Sequence, residues 1–194
     1  MPKLNFIIVT CALVFSACGN SNAQVSNADL IRYEMATSEL EASKSNYDRN
    51  KSSLGALENC DGSGEEFKNC GYAYNSKILE LSRDVLMKVL DRNIAYKEIS
   101  DAVEATSSMA NYRSLEFSME VTKWSKQVEL DKYVSECWLS KSEMCLRDGG
   151  YVKTIGNIKS EVLKAESDRL KFGIQYSELL MQEQVKELNQ LISD

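Results

Sequence analysis

The only proline in the 194 residues is Pro2, and glycine occurs nine times. Proline fixes φ and removes a backbone donor, and glycine weakens a helix, so these residues are the usual interruptions of helical structure. From Tyr72 to Asp148 the chain contains neither. Long unbroken helices are therefore open to it. Strand signals are missing: no run of alternating β-branched residues is bounded by turns. The chain is predicted to be all-α.

Periodicity places the helices. Ser26-Asn27-Ala28-Asp29 has the form of a capping box ahead of the apolar pair Leu30-Ile31, which predicts a helix start. Tyr33, Leu40, Tyr47 and Leu54 then recur every seven residues, beside a smaller row of Ala36, Ser43, Asn50 and Leu57. This pairing suits a close helix contact. Gly55 and the run Asn59-Cys60-Asp61-Gly62-Ser63-Gly64 end it. In the next segment Ile78, Val85, Val89, Tyr96, Ile99 and Val103 form one stripe, and Leu79, Leu86, Leu90 and Ile94 a second. Together they predict one wide core face.

A straight helix from Tyr72 to Cys137 would be about 95 Å long, too long for a compact domain. Thr106-Ser107-Ser108 are poor helix formers and good caps, so a turn is expected there, with a single bent helix as the alternative. Tyr112, Leu115, Met119, Phe117, Val121, Trp124 and Val128 continue the helical period. The segment from Cys137 to Cys145, which contains Trp138, reads as a closed loop or a helical turn, and Gly149-Gly150 as a break. The last helix is predicted from about Val152 to Leu191, through Ile158, Ala165, Phe172 and Leu179, then Met181, Val185, Leu188 and Ile192, with a kink at Gly173.

The N-terminus follows another logic. Lys3 precedes an apolar run from Phe6 to Phe15 broken only by Thr10. That is too short for a bilayer-spanning helix, which needs about 20 residues. It has the layout of a secretory signal. Phe15-Ser16-Ala17-Cys18-Gly19 resembles the lipobox of bacterial lipoproteins, with Phe15 where that family usually has Leu. The resemblance covers the first 19 residues. It implies cleavage before Cys18, acylation of Cys18 and, with Gly19 next in line, sorting to the outer membrane of a Gram-negative host. Cleavage after Ala23 by the small-x-small rule is the competing reading. Residues 1–17 are then the signal, 18–26 a lipid-anchored tether, and 27–194 one helical domain.

Loss of residues 1–17 removes Lys3 and leaves 22 basic against 29 acidic residues, a net charge of −7. Nucleic acid is a poor partner for such a chain, and anionic lipid would repel it, so lipidation must hold it at a membrane. Once Cys18 is assigned to lipid, Cys60, Cys70, Cys137 and Cys145 remain. An even number in an exported chain predicts disulfides. Four cysteines allow three connectivities; the favoured pairs are Cys60–Cys70 and Cys137–Cys145, each closing one short loop. A four-thiolate metal site lacks the usual spacing.

The halves around these loops look alike. Glu58-Asn59-Cys60…Cys70-Gly71-Tyr72 and Glu136-Cys137…Cys145…Gly149-Gly150-Tyr151 each open a helix, which allows two duplicated hairpins, 27–105 and 109–192. Four helices with short connections pack antiparallel. The expectation is an elongated antiparallel bundle of about four long helices, with two disulfide-closed loops at the end away from the membrane.

No catalytic set is visible. Histidine is absent, which removes the commonest general base and metal ligand. Gly-x-Ser-x-Gly, Ser-x-x-Lys and a phosphate-binding loop are missing too. No cofactor and no metal are expected, and the chain reads as a non-enzyme. The segment Cys60…Cys70-Gly71-Tyr72-Ala73-Tyr74-Asn75-Ser76-Lys77-Ile78-Leu79-Glu80-Leu81 resembles the end of the helical module in lysozyme-inhibitor lipoproteins, without the tryptophan that family places before its first cysteine. The reading is a lipid-anchored periplasmic protein that binds another protein: an inhibitor or immunity protein acting on a basic envelope-degrading enzyme or toxin. The alternative is an assembly lipoprotein of a secretion or conjugation system. Trp138, at an exposed loop tip, and the adjacent carboxylates Glu65 and Glu66 are the expected partner contacts.

Overall fold

The computed structural model describes residues 25–52, 60, 64–104, 106–140 and 148–193. Among these the regular structure is entirely helical: α1 (Asn27–Ser52), α2 (Glu65–Val103), α3 (Ser107–Ser140) and α4 (Gly149–Ser193). Consecutive helices pack against each other. Their cross-contacts run in opposite sense along each pair. Arg32 meets Glu98 while Glu39 meets Lys88. Arg92 meets Glu120 while Ser76 meets Ser135. Lys126 meets Glu161 while Glu116 meets Arg169. The bundle is thus up-down-up-down, as expected from short connections.

The helix ends follow local chemistry. At α1 the serine half of the capping box forms: Ser26 Oγ accepts the Asp29 N–H at 3.1 Å, and the Asp29 carboxylate accepts from the Ser26 hydroxyl at 2.6 Å. The turn between α2 and α3 falls at Thr106, whose Oγ1 accepts the Met109 N–H at 3.1 Å, so there are two helices here and not one bent helix. Gly149-Gly150, read as a break, are instead the first residues of α4. Asp148 Oδ1 caps them, accepting the Gly150 N–H at 2.8 Å and the Tyr151 N–H at 3.4 Å. The end of α1 near Gly55 and the segment around Cys145 lie outside the described residues.

The core is built from the predicted α1 row and one α2 stripe. Leu40, Tyr47, Ile78, Leu81, Val85, Val89 and Trp124 make the main cluster, and Tyr96, Ile99 and Phe117 a second nearer the Thr106 turn. The second predicted α2 stripe is only partly core. Leu86 packs against the main cluster, but Leu90 and Ile94 are exposed. Side chains 100° apart in succession cannot all face two neighbours. α1 and α3 take the Val85 side of α2, and Leu90 and Ile94 turn away.

α4 passes through Gly173 as one helix. A Cβ at Gly173 would lie 3.0 Å from Glu116 Oε1, so glycine serves the close approach of α3.

Candidate functional site

The expected contact residues collect at one end of the bundle, opposite Val25 and the Thr106 turn. Cys60 and Cys70 are joined there, with Cα atoms 5.7 Å apart. Glu65 and Glu66 occupy the first turn of α2, both exposed. Carboxylates are favoured at that position by the helix dipole.

Trp138 departs from expectation. It lies in the last turn of α3, not in a loop, and is 3% exposed. Its ring covers Gly71, where any Cβ would overlap Cε3 and Cζ3. Phe67 packs at its side, 5.6 Å between centroids. Trp138 is the stopper that seats the disulfide end of α2 on α3, and it is unavailable to a partner. Cys137, next to it, is buried and disulfide-bonded. Two disulfide-closed loops are therefore not what the described residues contain: one, Cys60–Cys70, is complete, and Cys145 lies outside them.

What sequence reasoning missed is a chain of buried charges. Glu120 on α3 is 3% exposed and receives Arg92 of α2 at 2.8 Å and Lys44 of α1 at 2.7 Å. Burial pushes its carboxyl upward, but the two cations outweigh this and hold it below the usual range. The Arg92 guanidinium also lies 3.7 Å above the Phe117 ring. About three turns further along α3, Asp131 accepts from Tyr47 Oη at 3.0 Å, Gln127 Nε2 at 3.0 Å and Lys51 Nζ at 3.2 Å. Burial and the Asp131 charge raise the Tyr47 hydroxyl well above its ordinary value.

Between α3 and α4, Glu166 pairs with Arg169 at 2.9 Å and Lys123 at 3.1 Å. The Arg169 hydrogen bond, with Lys123 behind it, holds Glu166 down at about 2. Arg113 stacks 3.6 Å over Tyr176, and Tyr96 donates to Glu104. Helix-forming Arg, Glu and Lys look alike in sequence whether solvated or buried, so only the crossing of helices reveals them.

These groups are occupied with one another. The Glu120, Asp131, Glu166 and Arg113 groups each tie two or three helices together, and none of them forms a nucleophile–base pair. Among the described residues no group of three or more His, Cys, Asp or Glu is placed to hold a metal ion. Nor is any described helix long and apolar enough to cross a membrane.

The open surface carries more. Val152, Leu163, Leu170, Ile174, Met181, Val185, Leu188 and Ile192 are each at least half exposed. At 100° per residue they fall in one row along α4. The face opposite that row, Tyr151, Ile158, Ala165 and Tyr176, is buried on α3. α4 thus has two apolar faces, of which one is covered. No family model, curated protein or solved structure matches the chain.

Proposed function

We propose that the protein is a lipid-anchored, non-enzymatic binding protein of the cell envelope, held by acylated Cys18 and acting as an inhibitor or immunity protein against a basic envelope-degrading enzyme. The observation that carries this reading is the disulfide end of the bundle. There Glu65 and Glu66 stand exposed on a helix terminus that Cys60–Cys70 and the Trp138 stopper hold in place. A rigid acidic tip gives up little conformational entropy on docking to a basic surface. In this reading Cys137 is joined to Cys145. Val25, the first described residue after the tether, packs at the other end of the bundle, and in this reading the tip faces away from the membrane, on the periplasmic side of the outer membrane. No cofactor takes part.

One observation favours the second reading, an assembly lipoprotein of a secretion or conjugation machine. α4 spans 45 residues and suits a spacer.

The test compares digestion of purified cell wall by periplasmic extract, with and without the protein. Wild type should slow digestion, and Glu65→Lys/Glu66→Lys should lose most of that effect at unchanged melting temperature. Palmitate should label wild type and not Cys18→Ser. Full-speed digestion with wild type, together with capture of only machine components, would replace the inhibitor reading by the assembly one.

A further inference from the structure

α4 outruns its neighbour. Its ring contacts with α3 end at Phe172 and Tyr176, opposite Tyr112 and Arg113, close to where α3 begins at Ser107. Antiparallel pairing puts roughly residue 180 level with Ser107, so about the last dozen residues of α4 run beyond α3. The exposed row continues into this extension without a break in helix. From Ile174 its spacing is seven, then four, three and four residues, through Met181, Val185, Leu188 and Ile192. This is the a/d rhythm of a coiled coil, with Val185 and Ile192 at a and Met181 and Leu188 at d.

We propose that the exposed row of α4 is the interface of a homodimer, in which α4 of one protomer pairs in parallel and in register with α4 of its partner. The inference goes beyond the binding function above and does not rest on it.

Four observations choose this occupant. β-branched residues at a with leucine at d favour two parallel strands over higher assemblies. The positions flanking the seam are Gln182, Gln184, Asn189 and Leu191, uncharged and thus compatible with an identical copy. The charges of this segment, Glu183, Lys186 and Glu187, sit outside them. Glu178 takes the one a position between Ile174 and Met181, where two carboxylates would face each other; it sets the upper limit of the tight seam. After Glu178 the seam lies open: Met181, Val185, Leu188 and Ile192 are each more than half exposed, on the part of α4 that runs beyond α3.

A bilayer is the less suitable occupant. Interfacial helices carry Lys and Arg beside the apolar face and Trp or Phe within it. From Ile174 to Ser193 there is one lysine against three glutamates, and the one aromatic residue, Tyr176, is buried on α3.

The experiment uses the purified full-length protein, with single cysteines at Leu188→Cys, in the seam, or Glu183→Cys, on the far side of the helix. Mild oxidation should join Leu188→Cys into a species of twice the chain mass, at least five-fold more than Glu183→Cys. In detergent, wild type should sediment as two chains and Val185→Asp/Leu188→Asp as one, with helix content unchanged. The proposal is overturned if Leu188→Cys stays monomeric, as it would under lipid or a segment of its own chain. It is also overturned if both cysteines cross-link equally, or if residue 188 joins only to a cysteine at Ile174, which would reverse the register.

Discussion

Gly71 shows how one atom decides a contact. Glycine inside a helix costs about 1 kcal/mol against alanine, so on α2 alone Gly71→Ala would stabilise. In the bundle the added methyl meets the six-membered ring of Trp138, which is buried and cannot swing aside. Overpacking of this kind costs about 1–3 kcal/mol. Gly71→Ala should therefore lower the melting temperature, by roughly 2–4 °C per kcal/mol for a domain of this size. The partner change Trp138→Ala should cost about 3–5 kcal/mol as a large buried deletion. In the double variant the methyl has room, so the two losses should fall short of additive. Thermal circular dichroism on the four proteins checks this; simple additivity would mean the ring and the glycine do not act on each other.

At the scale of elements, the disulfide and the helices make separable contributions. Cys60–Cys70 closes a loop of ten residues, which chain entropy values at about 2.5–3 kcal/mol. The apolar clusters that hold α1, α2 and α3 involve residues 40 to 124, along the body of the bundle. Cys60→Ser/Cys70→Ser should thus melt roughly 5–12 °C lower with far-UV ellipticity almost unchanged; loss of a third of the helix signal would show that the tip nucleates α2. The helices themselves were legible, because their information is local. The capping box at Ser26 and the hydroxyl cluster at Thr106 name their own ends, and the Leu40–Tyr47 and Val85–Val89 rows name their own faces. What was not legible depended on two elements meeting. Asp148 is an ordinary loop residue until Gly149 and Gly150 are helical. Trp138 reads as a loop anchor until α3 is seen to continue beneath it. Arg92 and Glu120 read as solvated charges until α1 closes over them. The same blindness covers the candidate site: Glu65 and Glu66, expected in the Cys60–Cys70 loop, are already in the first turn of α2, and the fate of Trp138 was a question of packing.

For the whole molecule, the buried ion pairs set a pH window. Glu120 and Glu166 are both held below the ordinary glutamate value of 4.5, Glu166 at about 2. A depressed carboxylate binds its proton later in the folded state than in the unfolded one. Its contribution is therefore complete above pH 4.5 and is withdrawn as pH falls from 4.5 through about 2. Glu120 ties three helices and Glu166 ties α3 to α4, so acid loosens the bundle at every interface at once. The tyrosines act at the other limit. Burial raises Tyr47 and Tyr96, and pushes Tyr151 up to about 12, from an ordinary value of 10. A raised phenol stays protonated in the fold after the unfolded chain has ionised, so its contribution is complete below pH 10 and is lost as pH climbs past it. The melting temperature should be level between about pH 5 and 9 and fall on both sides. Glu166→Gln should start lower at neutral pH, having lost the Arg169 and Lys123 charges as partners, and should fall less steeply than wild type between pH 4.5 and 2, while its alkaline limb is unchanged. Parallel acid limbs in the two proteins would show that Glu166 titrates alike in the folded and unfolded chain, and would leave the acid response to Glu120.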